Sequence, residues 1–139
     1  MTMNNRRIFL RGLLAGLLSA VACIVYNEIY QRLMLTDFRE IINVGSIMGA
    51  TLFGGMMMAV GYWVLFRFKR QALIGWLNVM ILVFSFLSII PAFSMQLPLH
   101  IESPELFVGL SAPMHFLPAL VFFGLEPFIP AVPRTALAA

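Results

Sequence analysis

The sequence predicts an all-α membrane protein: four transmembrane helices in an up-down-up-down bundle, with both termini on the cytoplasmic side. Three observations lead there. Apolar residues make up 61% of the 139 positions. The nine basic and six acidic residues are almost wholly excluded from four long stretches, and the basic ones gather on alternate connections. The uncharged stretches are Gly12 to Asn27, Ile41 to Phe66, Gln71 to Ile101 (apolar from Ala72 to Met95) and Leu106 to Leu125. A helix rising about 1.5 Å per residue needs roughly 20 residues to cross about 30 Å of hydrocarbon, so three stretches suffice unaided. The first is completed if Arg11 snorkels back toward the headgroups, which lets Ile8 to Glu28 cover about 30 Å. The expected spans are residues 10–30, 41–66, 72–95 and 106–125, within one domain covering 1–139. Helices apolar on every face exclude a small soluble fold, because such a chain has no interior large enough to hide them.

Orientation follows from the basic residues. Arg6, Arg7 and Arg11 precede the first span, Arg67, Lys69 and Arg70 fill the second connection, and Arg134 follows the last span. Only Arg32 and Arg39 fall on the other side, which places both termini and the middle turn in the cytoplasm. Tyr62, Trp63 and Trp76 flank the basic turn, and Tyr26 and Tyr30 mark the opposite end of the first span, as interfacial aromatics do. The basic charge is thus a topology signal, and no nucleic-acid partner is expected. Asn5-Arg6-Arg7-Ile8-Phe9-Leu10-Arg11 also resembles a twin-arginine export signal, with Ala20-Val21-Ala22 as a small-residue cleavage pattern before Cys23. A basic flank ahead of a first span is what orientation demands anyway, and the uncleaved reading is preferred. A single cysteine excludes an internal disulfide and an all-cysteine metal site.

The connections carry helix-start signals. Asp37-Phe38-Arg39-Glu40 has the form of a capping box for the second span. Ser103-Pro104-Glu105 reads as a cap followed by proline at the first helical position of the fourth. Packing signals lie in the first two spans: Gly12, Gly16 and Ala20 at four-residue spacing, Gly45 and Gly49 on one face of the second, and Ser46, Ala50, Gly54 and Gly61 on an adjacent one. Small residues so spaced let helix backbones approach closely in lipid. The first expectation is packing of span one on span two. The alternative is that the second glycine face binds another subunit. Met56, Met57 and Met58 point in three directions around a helix and read as core and lipid-facing filler, not as metal ligands.

Ionisable groups inside hydrocarbon are functional candidates by default. Glu28 lies about 26 Å along the helix from Arg11, at the headgroup boundary, and reads as an interfacial acid paired with Arg32 one turn on. His115 lies roughly 14 Å past Leu106, near the midplane. Pro113 and Pro118 beside it each delete a helical N–H and so free the carbonyls of Gly109 and Met114. Ser19 and Thr51 share that depth and Ser85 lies somewhat higher, so a neutral imidazole bonded to one of these hydroxyls is the first expectation. A proton relay or an axial ligand to haem b are the alternatives, although His100, the second histidine, sits in a loop at the wrong depth for two-histidine ligation.

Phe84-Ser85-Phe86-Leu87-Ser88-Ile89-Ile90-Pro91, followed by Met114-His115, resembles a family of small, uncharacterised bacterial four-helix membrane proteins. The resemblance covers the third and fourth spans. It implies a four-helix fold in a bacterial cytoplasmic membrane and no particular reaction.

Three function classes follow. A structural or interaction subunit of a membrane complex ranks first, with the bilayer and either a second copy or other membrane subunits as partners. A small oligomeric transporter or channel, using His115 with Thr51 and the freed carbonyls as a polar path, ranks second. A haem-binding, redox or lipid-modifying enzyme ranks third, because enzymes need several convergent polar groups and few reach the middle here. No cofactor or metal is expected.

Overall fold

The computed structural model describes residues 3–98, 101 and 103–130, so that His100, Glu102 and Arg134 lie outside the described residues. The protein is an all-α bundle built from four helical segments long and apolar enough to cross a membrane: Asn5–Met34, Val44–Arg67, Gln71–Ser94 and Leu106–Gly124. These comprise α1 (Met3–Met34), α2 (Val44–Arg67), a 3-10 turn (Gln71–Leu73) leading into α3 (Ile74–Leu87), the short α4 (Ile90–Ser94) and α5 (Leu106–Gly124). The chain reads as a multi-pass membrane protein.

The tightest contact joins α1 to α2. A Cβ added at Gly12 would lie 2.6 Å from Ala59 Cβ and 2.7 Å from the Gly55 carbonyl oxygen, and one at Gly16 would lie 2.8 Å from Leu52 Cα. A Cβ at Gly55 would run into the Gly12 carbonyl and sit 2.9 Å from the Gly16 nitrogen. Only glycine allows the two backbones this close. The stripe that receives Gly12 and Gly16 is therefore Thr51, Gly55 and Ala59, all buried, and not the faces marked by Gly45, Gly49 and Gly54. Nothing lies within 4 Å of a Cβ at Gly49, Gly45 meets only the cap side chain of Asn43, and Gly54 makes an ordinary contact with Pro118. Met58 is buried and Met57 is 53% exposed, the divergence expected of consecutive helical residues.

Helix ends differ from the sequence expectation for identifiable reasons. α2 starts at Val44 under a reciprocal capping box in which Asn43 Oδ1 accepts from the Ser46 N–H and Ser46 Oγ accepts from the Asn43 N–H. Asp37 instead closes a local turn by accepting from the Arg39 N–H. The intervening segment is held out of helix by Phe38, fully buried against Phe107, with its N–H donated to Gln31 Oε1 at 2.7 Å. Ser103 does not cap α5 through its side chain. It takes a left-handed φ of 53°, incompatible with an N-cap, and its carbonyl accepts from the Leu106 N–H. α1 and α2 both end in Schellman geometry at non-glycine residues. Leu35 and Lys69 have φ of 54°, and the following N–H of Thr36 and Arg70 reaches back to the carbonyls of Gln31 and Leu65.

The third segment is broken. Pro91 cannot donate to the Leu87 carbonyl, so the helix yields at Ser88 and Ile89 and resumes as α4. None of the residues of α3 is buried. It meets α2 through Leu77 against Gly61 and Asn78 against Tyr62, and meets α5 through the edge-to-face pair Phe86–Phe116 at 4.7 Å. The packed interior consists of two clusters at opposite ends. One is centred on Ile8, Met58, Tyr62, Ala119 and Phe122, the other on Phe38, Phe107 and Leu110. Arg6, Arg7, Arg11, Arg67, Lys69 and Arg70 belong to the first end, hereafter the basic end. Glu28, Asp37, Glu40 and Glu105 belong to the other.

Candidate functional site

His115 stands on α5 one turn after Ser111, and its Nδ1 lies 2.8 Å from the Ser111 carbonyl oxygen. A carbonyl only accepts, so Nδ1 carries the proton and Nε2 is left as an acceptor. Among the described residues nothing donates to Nε2. The ring is partly exposed, although Ser111 and Ala119, one turn before and after it on the same face, are buried.

The hydroxyls expected around the imidazole do not converge on it. Thr51 Oγ1 donates to the Ile47 carbonyl at 2.9 Å and Ser85 Oγ to the Ile81 carbonyl at 3.0 Å, each on its own helix. Ser19 is fully buried, and its Oγ has no hydrogen-bond partner among the described residues. In the low dielectric of a span, a serine or threonine without a tertiary partner turns to the carbonyl four residues back, and two of the three have done so.

The proline-freed carbonyls are also occupied. Tyr26 donates its hydroxyl to the Gly109 carbonyl at 2.9 Å, and the Cys23 thiol lies 3.9 Å from the Met114 carbonyl, a weak S–H contact. Tyr30 adds a bond to the Leu106 carbonyl at 2.9 Å, with its oxygen 2.5 Å from where a Cβ on Gly109 would stand. Cys23, Tyr26 and Tyr30 fall at helical spacing on one face of α1, which thus repairs the backbone that the prolines interrupt. If this repair matters, Tyr26→Phe lowers stability by about 1 kcal/mol. In a Pro113→Ala background, where the residue 113 N–H again serves Gly109, it should have almost no effect. Equal losses in both backgrounds, measured by unfolding in mixed micelles, would show that the hydroxyl acts some other way.

A second polar cluster lies at the basic end and was missed by depth counting. Arg11 does not snorkel. Its side chain is 0% exposed, with the guanidinium carbon 4.1 Å from the Phe122 ring centre and 4.5 Å from that of Tyr62. Those two rings meet edge to face at 5.3 Å, and the Tyr62 hydroxyl donates to Asn78 Oδ1 at 2.6 Å. Glu126, just beyond α5, forms the ion pair. The guanidinium has no hydrogen-bond acceptor in good geometry, so it is held by two aromatic faces and one charge. α1, α2, α3 and α5 all contribute. The sequence did carry a signal: Arg11 shares its face with Ile8 and Ala15, both fully buried, and Glu126 is the only acid at that end.

At the opposite end, Glu28 accepts from Arg32 and also from Arg39, each at 3.5 Å. All three side chains are exposed enough for solvent to screen the pairs. Beneath them Gln31 donates to Asn27 Oδ1 at 2.9 Å while accepting from Phe38, a buried amide relay that ties the first connection to α1.

No family model, curated protein or solved structure matches the chain.

Proposed function

We propose that the protein is a structural or interaction subunit of a membrane assembly, with the imidazole of His115 as its polar contact to a neighbouring helix. The observation that supports this is the unpaired Nε2 on a partly exposed ring within a membrane segment. An acceptor left without a donor in hydrocarbon is expensive, and interhelical hydrogen bonds from such groups act as glue between spans. The donor would come from a second copy or from another membrane subunit. α3 stands beside α5 without burying a residue, which leaves room for a further helix. The same proposal includes an up-down-up-down course, both termini on the cytoplasmic side, and the bacterial cytoplasmic membrane implied by the family that Phe84 to Pro91 and Met114-His115 resemble.

The test is His115→Leu, compared with the unaltered protein by crosslinking in native membranes and by native-gel mass after mild extraction. The assembly should shrink or disappear while helical content and unfolding midpoint stay within error. Retention of the full-size assembly by the variant would sink the proposal.

A further inference from the structure

The cations of the basic end are out of balance in a way that suggests a ligand. Arg6 and Arg7 at the start of α1 and Arg67, Lys69 and Arg70 at the end of α2 are all exposed, and none of their side chains has a hydrogen-bond or ion-pair partner among the described residues. They share one end because Ile8 and Phe9 pack in the same cluster as Tyr62, Trp63 and Phe66. The single acid there, Glu126, is already taken by Arg11. The left-handed residue at Lys69 and the Arg70 N–H to Leu65 carbonyl bond at 2.8 Å fix the turn, so three of the cations are held within four residues.

Apolar surface adjoins this charge. Phe68 is 70% exposed, Trp76 is 68% exposed, and α3, which continues from the turn, buries none of its side chains. One face of α3 packs on the bundle through Ile74, Leu77 and Ile81, and the other, with Trp76, Val79 and Val83, is apolar and exposed. A fixed cluster of cations running into that apolar face complements a molecule with an anionic head and acyl tails. We infer that the α2–α3 turn, together with the start of α1, is a binding site for anionic phospholipid. The phosphate would sit among Arg67, Lys69 and Arg70 and the chains would lie along α3. Near a membrane surface each such cation is attracted to anionic lipid, and the attraction fades within a Debye length of about 10 Å at 0.1 M salt.

The two tryptophans of the chain, Trp63 and Trp76, flank this turn and report on the lipid in contact with it. The experiment reconstitutes the purified protein in phosphatidylcholine vesicles containing one-fifth phosphatidylglycerol and compares quenching when either lipid carries brominated chains. Brominated phosphatidylglycerol should quench about fivefold more strongly per molecule than brominated phosphatidylcholine. The preference should fall toward unity in 1 M salt, where the Debye length is about 3 Å. The variant Arg67→Gln/Lys69→Gln/Arg70→Gln should lose it at low salt, whereas His115→Leu should keep it. Equal quenching by both lipids in the unaltered protein would overturn the inference and favour an acidic protein segment as the natural occupant. So would a preference insensitive to salt. Because the salt measurement uses the unaltered protein, the inference is decided even if the triple variant does not fold.

Discussion

Gly55→Leu is expected to destabilise the bundle by about 3 kcal/mol, at the upper end of ordinary overpacking, because the new side chain has no direction in which to go. Its Cβ alone would meet the Gly12 carbonyl and the Gly16 nitrogen, which belong to the backbone of a helix and cannot rotate aside. The two helices must separate, and in lipid that loss is not offset by any hydrophobic force pressing them back together. Gly49→Leu on the same helix is the control. Nothing lies within 4 Å of its Cβ, so the substitution should change stability by less than about 0.5 kcal/mol. Unfolding by denaturing detergent in mixed micelles, followed by helical ellipticity, measures both. Similar effects at the two positions would mean that α1 and α2 do not meet where the glycines place them.

Arg11→Ala should cost about 3 kcal/mol, and the pattern across neighbouring variants shows why. A desolvated cation over an aromatic face contributes about 2 kcal/mol, and truncation also empties the space filled by the aliphatic stem between Tyr62 and Phe122. Arg11→Met keeps the stem and loses the charge, so its loss should be about half as large. Glu126→Gln should have the smallest effect, less than about 1 kcal/mol, since the Glu126 side chain is 44% exposed and solvent screens its share. Arg11→Lys is not a neutral change here, because an ammonium cannot lie flat between two rings as a guanidinium does. The same detergent titration ranks the four. If Glu126→Gln proves as damaging as Arg11→Ala, the ion pair holds the arginine in place and the rings do not.

The four long apolar segments were legible because charge exclusion is a property of the chain itself. Nothing about partners is needed to see that Ile41 to Phe66 carries no charge. What escaped depends on register between helices. Gly12 and Gly16 were recognisable as a packing face, but their counterpart is the mixed series Thr51, Gly55 and Ala59, which a search for repeated glycine passes over. Arg11 was placed by distance along its helix, and depth does not say whether a long side chain turns to water or inward. Two rings on other helices decide it. The carbonyls released by Pro113 and Pro118 could be named from sequence, but Tyr26 and Cys23 could not be named as their partners. Their place opposite those carbonyls is set by how α1 crosses α5. Depth counting singles out His115 in the sequence, yet its bond goes to its own helix, a local option always open to it.

The absence of any buried residue in α3 has a consequence for the order in which the bundle is made. α1 and α2 can close on each other through Gly12, Gly16 and Gly55 as soon as both have entered the bilayer. The next span to emerge offers that hairpin only the half-buried side chains of Ile74, Leu77, Asn78 and Ile81. Only α5 brings the ring of Phe122 to Arg11 and lends its carbonyls to Cys23, Tyr26 and Tyr30. A chain stopped before Leu106 is therefore a hairpin with a loosely tethered third helix, its buried arginine lacking one of its two rings. Completion of the fold waits on α5, which is synthesised after the three spans it joins.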